Sequence, residues 1–251
     1  MTDLAARVGE LEAQSERALR TLGDLAKEIA GTTTPQRVGD TLVPWPFRAL
    51  GRVRLVRREG TVLFVTDGLS HPFDPSLHGE GHAALGFELG MELPVEEVGD
   101  TPAKQAGAWV VPALLWLGSC YVMDEFRLLD LVDHFGMVTQ MLPPEPALAH
   151  LLMTDGSVGA LAGMPLAQTT TFGREAQHLL WRASGEEARL VMLTALTPDE
   201  CTWVRSVDDG SRAMDLARAL WARGHGHRTL PHRPSLLRLD RPTQGREGEA
   251  P

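Results

Sequence analysis

The sequence predicts an α/β domain preceded by one long helix. Residues 2–30 place apolar side chains at heptad spacing, which is typical of an amphipathic helix. Further along the chain, short apolar segments such as residues 62–65 alternate with helix-like runs such as residues 211–223. A chain of 251 residues is long enough to bury a packed core without disulfides or metals.

The first helix is predicted over residues 2–30 and is expected to end at Gly31. Two interpretations of its apolar seam are open. The helix packs on its own domain, or it forms a homodimeric coiled coil through residues 4–29. The seam positions alternate spacings of four and three: Leu4, Val8, Leu11, Ser15, Ala18, Leu22, Leu25 and Ile29.

The middle of the chain predicts a strand pair and a buried helix. Residues 53–56 and 62–65 form the pair, and the second segment is apolar throughout, as in strands buried on both faces. Residues 105–123 carry no charge and approach the length of a bilayer span. Because Gly107, Pro112 and Gly118 interrupt this run, we predict a core helix and no membrane span.

The last third predicts two strands followed by two helices. Residues 179–181 and 190–196 have strand composition, and Thr197 followed by Pro198 is typical of a helix start. Residues 211–223 have helical periodicity. Residues 128–141 combine helix-like and strand-like features and stay unassigned. The tail, residues 241–251, has no large apolar residue and is predicted to be disordered.

The composition indicates which partners and which cellular location to expect. The formal net charge is −9, and an acidic surface repels nucleic-acid phosphates, so nucleic acid is not an expected partner. The two cysteines, Cys120 and Cys201, are predicted to be isolated thiols. No apolar signal core follows the first residue, so we expect a cytoplasmic location.

Three groups of residues could carry chemistry. The first offers five possible zinc or iron ligands within twelve residues: His71, Asp74, His78, Glu80 and His82. The second is a histidine-rich tract: His225, His227 and His232. The third contains acids that could serve acid–base catalysis: Asp124, Glu125, Asp130, Asp133 and His134.

None of these groups matches a catalytic or metal-binding motif. The first lacks HExxH spacing, and its loop contains prolines and glycines rather than a regular scaffold. Ser70 follows Gly68, but Pro72 stands where a nucleophile elbow needs glycine. We therefore predict no catalytic residue, no metal and no cofactor. A metal-dependent hydrolase that uses the His71 to His82 loop is kept as the alternative.

Two neighbouring motifs carry a family resemblance. Asp67-Gly68-Leu69-Ser70 is followed by Gly86-Phe87-Glu88-Leu89, and apolar residues alternate from there to Pro94. Further matches follow in order: Trp109, the segments 150–155 and 190–200, and Arg233-Pro234-Ser235 with residues 236–239 as a last strand. Over residues 36–240, the chain resembles the amino-terminal domain of the suppressor of fused family.

The resemblance implies a mixed β-sheet covered by helices and a non-enzymatic protein-binding function. Animal members sequester a transcription factor by gripping an extended peptide between two domains, and only the first domain is matched here. Similar bacterial chains are regarded as immunity proteins that neutralise toxins. The net charge of −9 suits a basic partner, since opposite charges speed association. The expected partner is therefore a protein, such as a basic toxin.

Individual residues of the motifs receive structural and binding roles. Gly68 is expected to take a positive φ, and Ser70 is expected to tie the loop. Gly86 precedes a strand on which Phe87 and Leu89 enter the core, while Glu88 faces the other way, with a tie to Arg54 or another base. Loops on a rigid sheet concentrate recognition. We therefore predict partner contacts at Asp67, Asp74, Glu80 and Asp155.

Overall fold

A computed structural model describes residues 4–31, 35–80, 82–124, 127–167, 179–183 and 186–239 of the chain. It confirms the predicted α/β class with a mixed sheet. The strands are β1 (Asp24–Gly31), β2 (Gln36–Val38), β3 (Thr41–Val43), β4 (Arg52–Arg58), β5 (Thr61–Thr66), β6 (Phe87–Pro94), β7 (Val138–Leu142), β8 (Val158–Met164), β9 (Leu180–Ala183) and β10 (Glu186–Ala195).

Helices cover both faces of the sheet. They are α1 (Leu4–Arg20), α2 (Pro75–His78), α3 (Val95–Val98), α4 (Pro102–Ala106), α5 (Val110–Asp124), α6 (Leu128–Phe135), α7 (Pro198–Val204), α8 (Ser211–Ala222) and α9 (Leu236–Leu239), with a 3₁₀ helix at Pro146–Leu151. The predicted capping of α7 is confirmed, because Thr197 and Glu200 form a capping box.

The sheet is antiparallel at every described pairing except one. Its strand order is β1-β4-β5-β6-β10-β8-β7, and β9 pairs with the first half of β10. Strands β6 and β10 run parallel, with Phe87 opposite Arg189 and Gly90 opposite Met192. The predicted strand pair is confirmed as the hairpin of β4 and β5.

Each face of the sheet has its own apolar core. Phe87 and Leu89 of β6 pack on the face covered by α5, as predicted. Leu63 of β5 and Leu190 of β10 pack on the opposite face with residues of α1, α7 and α8. Because side chains alternate along a strand, Glu88 points to this second face.

The apolar run at Pro102–Asp124 is the candidate membrane span found among the described residues. It satisfies the length and composition of a span, but 61% of its most apolar window is buried inside the domain. Leu114 and Leu115 of α5 are fully buried against the sheet. A core helix in this position fits the prediction.

The predicted first helix is wrong in its second half. α1 ends at Arg20, and residues 24–31 form β1, which pairs antiparallel with β4. Gly23 makes this turn possible, because a Cβ there would meet the backbone oxygen of Arg57. Pairing satisfies the backbone of β4, which would otherwise be an open sheet edge. Tertiary pairing therefore overrides the heptad spacing.

The part of the apolar seam that lies on α1 packs on the chain's own domain. Val8, Leu11 and Ser15 of α1 are buried, and Leu11 belongs to the second core. A continuous coiled coil through residues 4–29 is incompatible with β1. Homodimerisation itself stays a prediction.

The predicted last strand over residues 236–239 is also wrong. These residues form α9, because Ser235 Oγ accepts a hydrogen bond from the Leu237 amide and Glu200 accepts one from the Leu236 amide. Both contacts satisfy amides of a helix start. The unassigned residues 128–141 contain α6 and the start of β7. The predicted tail at 241–251 lies outside the described residues.

Candidate partner-binding loop

The loop between β5 and β6 is anchored by one buried carboxylate. Glu88 Oε1 accepts hydrogen bonds from the amides of Gly68 (3.0 Å) and Ser70 (2.9 Å) and from Ser70 Oγ (2.7 Å). Its Oε2 accepts hydrogen bonds from Thr66 Oγ1 (2.7 Å) and the Leu69 amide (3.2 Å). Gly68 has φ of +119°, as predicted for a turn that lets three amides converge on one acceptor.

This arrangement corrects the expected partner of Glu88. The expected tie was a base such as Arg54, but Glu88 accepts its hydrogen bonds from amides and hydroxyls. Burial, and then the negative charge of Asp67, raise the pKa of Glu88 to about 7, while its hydrogen bonds oppose this rise. Ser70 does tie the loop, but its amide and hydroxyl bond to Glu88 instead of the neighbouring backbone that was expected.

Asp67 is buried, so its predicted exposure is wrong. Its Oδ2 lies 3.0 Å from Arg54 Nε and 2.6 Å from Arg52 Nη2. A carboxylate that is 3% exposed and contacts two guanidinium groups belongs to the folded interior and not to the surface of the turn. Asp67 therefore lies at the base of the loop and presents no exposed carboxylate there.

Helix α1 supplies the remaining carboxylates of this network. Glu12 Oε1 lies 2.6 Å from Arg48 Nη2 and 2.7 Å from Arg52 Nη2. Glu16 Oε1 lies 2.9 Å from Arg54 Nη1. The ion pairs thus join α1, β4 and the base of the loop. Sequence analysis missed them, because the partners are separated by 36 residues or more along the chain.

His71 is turned into the same region. It is buried, and this burial lowers the pKa of its imidazole, so the neutral form is favoured. Donor atoms of Glu12, Asp67 and His71 lie within 4.8 Å of one another, a spacing that could suit a cation. The two carboxylates already neutralise arginine side chains, so a cation would have to displace a guanidinium group.

The remaining predicted ligands of the loop do not converge on one point. Asp74 is the N-cap of α2, where its Oδ1 accepts a hydrogen bond from the Ser76 amide at 2.8 Å. His78 Nε2 lies 3.0 Å from the backbone oxygen of Trp45, and His82 stacks on Phe73. Among the described residues, no metal-sized cluster joins the His71 to His82 set.

Two predicted contact residues remain at the exposed part of the loop. Asp74 is half-buried, and Glu80 is exposed. Asp155 is also exposed, but it lies in the turn before β8, where its Oδ1 accepts a hydrogen bond from the Ser157 amide at 3.0 Å. No hydrogen bond or ion pair between described residues joins Asp155 to the loop. The predicted set is therefore divided between two places.

The histidine-rich tract also divides. His227 is buried against Glu92, with 2.7 Å between Nε2 and Oε2, whereas His232 is exposed and stacks on His150. In the third group, Asp133 pairs with Arg189 at 2.6 Å. Glu125 lies outside the described residues. Among the described residues, none of the three groups comes together as a metal-binding or acid–base site.

Comparison with known proteins adds no family assignment. A scan against protein-family models finds no match to this chain, and a search of curated proteins finds none either. The resemblance to the suppressor of fused family therefore stays a prediction that rests on the motifs themselves.

Proposed function

We propose that the chain is a non-enzymatic module that binds and neutralises a partner protein, in the manner of an immunity protein against a basic toxin. The observation that carries this proposal is the anchoring of the loop after Ser70. Five donors fix one end of the loop on Glu88, and the Asp74 amide donates to the Pro46 backbone oxygen at 2.6 Å. A loop held on a rigid sheet presents its carboxylates at low entropic cost.

The distribution of charge supports a basic partner. The buried carboxylates of the described region other than Glu88 pair with arginines, as Asp67 does with Arg54 and Glu200 with Arg233. Each such pair is neutral, so these buried groups contribute little to the net charge of −9. Asp74 and Glu80 then act within a negative field, which speeds association with a basic surface.

Co-expression provides the test. The candidate toxin is the product of the gene next to the one that encodes this chain. Cells that make only this product should stop growing, and co-expression of the wild-type chain should restore growth. Asp74→Lys combined with Glu80→Lys should abolish the rescue and lower the association rate about tenfold with the purified pair. The control is Asp124→Lys combined with Asp208→Lys, which makes the same charge change at exposed positions elsewhere. Equal rescue by both double variants would contradict the role of the loop.

Metal analysis separates this proposal from the metal-dependent hydrolase. The purified chain should carry no stoichiometric zinc or iron, and His78→Ala with His82→Ala should leave its metal content unchanged. Stoichiometric metal that disappears in this double variant would favour the hydrolase. A cytoplasmic location belongs to the same proposal, since an immunity protein has to meet the toxin inside the cell.

A further inference from the structure

The main sheet ends at β7, and the outer edge of this strand is open within the described part of the chain. β7 is the last strand in the order of the sheet and pairs with β8 on its inner side. Among the described residues, no other backbone hydrogen bond reaches Val138–Leu142. The amides and carbonyls along such an edge can bind a further strand. β10 and β8 separate β7 from β6, so this edge takes no part in the proposed function.

The two end strands of the sheet differ in how they discourage such pairing. β1 exposes Asp24 and Lys27, and a bulge between Leu25 and Ile29 interrupts its register with β4. Charges and bulges at an edge hinder the addition of a strand. β7 contains no charged residue and no proline, and its register with β8 is continuous. The edge of β7 is therefore suited to pairing, and that of β1 is not.

A second copy of β7 fits this edge in an antiparallel register centred on Gln140. Gln140 then lies opposite its own counterpart, Thr139 opposite Met141, and Val138 opposite Leu142. All five residues of the strand are paired, whichever of them direct their amides outward. A twofold axis relates the two copies, so the same patch serves on both sides.

The side chains of β7 also match in this register. Val138 and Leu142 pack on the face covered by α5, and Met141 packs on the second face. Because side chains alternate along a strand, Thr139 shares the second face with Met141. Pairing sets Met141 of one copy over Thr139 of the other, beside a cavity of about 380 Å³ that Thr139 and Val204 line. A methionine side chain adapts to such irregular space.

The charges beside this edge favour a copy of the same chain as the partner. Arg205 Nη1 lies 4.0 Å from Met141 Sδ, near the end of β7. Asp208 lines the same cavity, and the segment that follows it meets Phe135 at the start of β7, where Gly210 approaches the Phe135 backbone oxygen. Antiparallel pairing brings opposite ends of β7 together, so Arg205 of each copy faces Asp208 of the other. Elsewhere, two chains of net charge −9 repel each other.

We propose that the chain forms a twofold homodimer in which two β7 strands pair antiparallel about Gln140 and continue the sheet across the axis. Two contacts between Arg205 and Asp208 fix the direction of pairing. The edge is only five residues long, so we expect a dimer that dissociates on dilution. This dimer differs from the coiled coil through residues 4–29, which β1 excludes.

Sedimentation velocity of the full chain at increasing concentration tests this proposal. The mean mass should rise towards that of a dimer. Gln140→Lys sets two like charges opposite each other and should weaken the dimer several-fold. Gln36→Lys is the control, since Gln36 is half-buried on β2, outside the main sheet. A dimer that a folded Gln140→Lys chain forms as well as the wild type overturns the proposal. So does a chain that stays monomeric, which would leave the edge to a strand of another protein.

Exchange of the two charges provides a test that does not alter β7. Arg205→Asp should weaken the dimer, because each copy then meets two acidic groups. Addition of Asp208→Arg should restore it, because the pair forms again in the opposite sense. Both residues are exposed, so the fold should tolerate these changes. Failure of the second substitution to restore the dimer contradicts the proposed pairing.

Disulfide formation reports the register. Cys120 is first replaced by serine, because it is partly exposed, whereas Cys201 is buried. Gln140→Cys then places two thiols directly opposite each other across the axis. Thr139→Cys is the control, since the two copies of that residue lie about 7 Å apart. Mild oxidation should link the Gln140→Cys chains much faster. Equal rates for both variants, or no linked dimer from Gln140→Cys, would refute the register.

Discussion

Glu88 and Glu92 lie on the same face of β6, four residues apart, and both are almost fully buried. Their surroundings differ in one respect. Glu88 accepts hydrogen bonds from neutral amides and hydroxyls, whereas Glu92 contacts Arg58 and His227. The pKa of Glu88 is raised to about 7, and that of Glu92 is lowered to about 2. Burial alone does not decide whether a carboxylate is charged; the partners decide it.

The comparison depends on the alternation of faces along β6, and Phe87→Ala tests this alternation. Phe87 is fully buried on the α5 face, where its ring packs edge-on against Tyr121 at 5.5 Å. The substitution should lower the free energy of unfolding by about 3 to 5 kcal/mol. Denaturant unfolding measures this loss. A variant as stable as the wild type would place Phe87 outside the core.

Removing each carboxylate should sharpen the contrast. Glu92→Gln leaves Arg58 and His227 without a charged partner, and we expect a loss of about 3 kcal/mol. Glu88→Gln keeps one acceptor oxygen for the loop donors, so a loss of about 1 to 2 kcal/mol is expected at pH 7. Chemical denaturation of both variants provides the values.

Glu59→Gln, an exposed neighbour of Arg58, is the control and should change stability by less than about 0.5 kcal/mol. The opposite ranking of the two variants would refute the assignment of partners.

The pH dependence should have opposite signs at the two residues. The folded pKa of Glu88 is about 7, above its usual 4.5, so its contribution is complete below pH 4.5 and is lost as pH rises through 7. The folded pKa of Glu92 is about 2, so its contribution is complete above pH 4.5 and is lost as pH falls through 2. Each change amounts to at most about 3 kcal/mol.

Difference curves between wild type and each Gln variant isolate these contributions. Unfolding free energies are measured from pH 2 to pH 8, with the variants Glu88→Gln and Glu92→Gln as references. The wild-type curve minus that of Glu88→Gln should fall between pH 4.5 and pH 7. A flat difference there would show that the loop donors hold Glu88 ionised throughout.

The smallest effect is expected at the outer part of the loop. Asp74→Lys with Glu80→Lys should change the free energy of unfolding by less than about 1 kcal/mol, since Asp74 loses only one capping bond and Glu80 is exposed. Thermal unfolding checks this. A much larger loss would mean that these residues stabilise the fold as Glu88 does, and the partner-binding role would lose its support.

Local patterns predicted the parts of the fold that are set locally. The apolar run of β5, the Thr197 cap and the core helix α5 follow from composition and spacing. The strand β1 does not, because Gly23 and the open edge of β4 decide it through contacts with residues 21 to 34 positions further along the chain. Residues 24–31 have a spacing that also fits a helix. Periodicity cannot show that they form a strand when the strand with which they pair is distant in the sequence.

The candidate site was predicted less well for the same reason. Alternation along β6 correctly separated Glu88 from Phe87, but no local signal shows that its partners are loop amides rather than Arg54. Asp67 precedes a glycine, which favours an exposed turn, yet two arginines of β4 enclose it. The same alternation could have predicted that Glu92 is also buried on the second face, since it follows Glu88 by an even number of residues.

The segment that follows α8 has a consequence for how the chain folds during synthesis. Thr229 and His227 complete the sheet beside Glu92. Glu92 precedes His227 by 135 positions in the sequence. Contacts of such long range slow folding, because the loop between them has to close first. A nascent chain lacks this closure until residues 227–229 have left the ribosome, and an unfinished sheet exposes apolar surface. We therefore expect ribosome-bound chains that stop before His225 to recruit chaperones, and chains extended past Leu236 to release them.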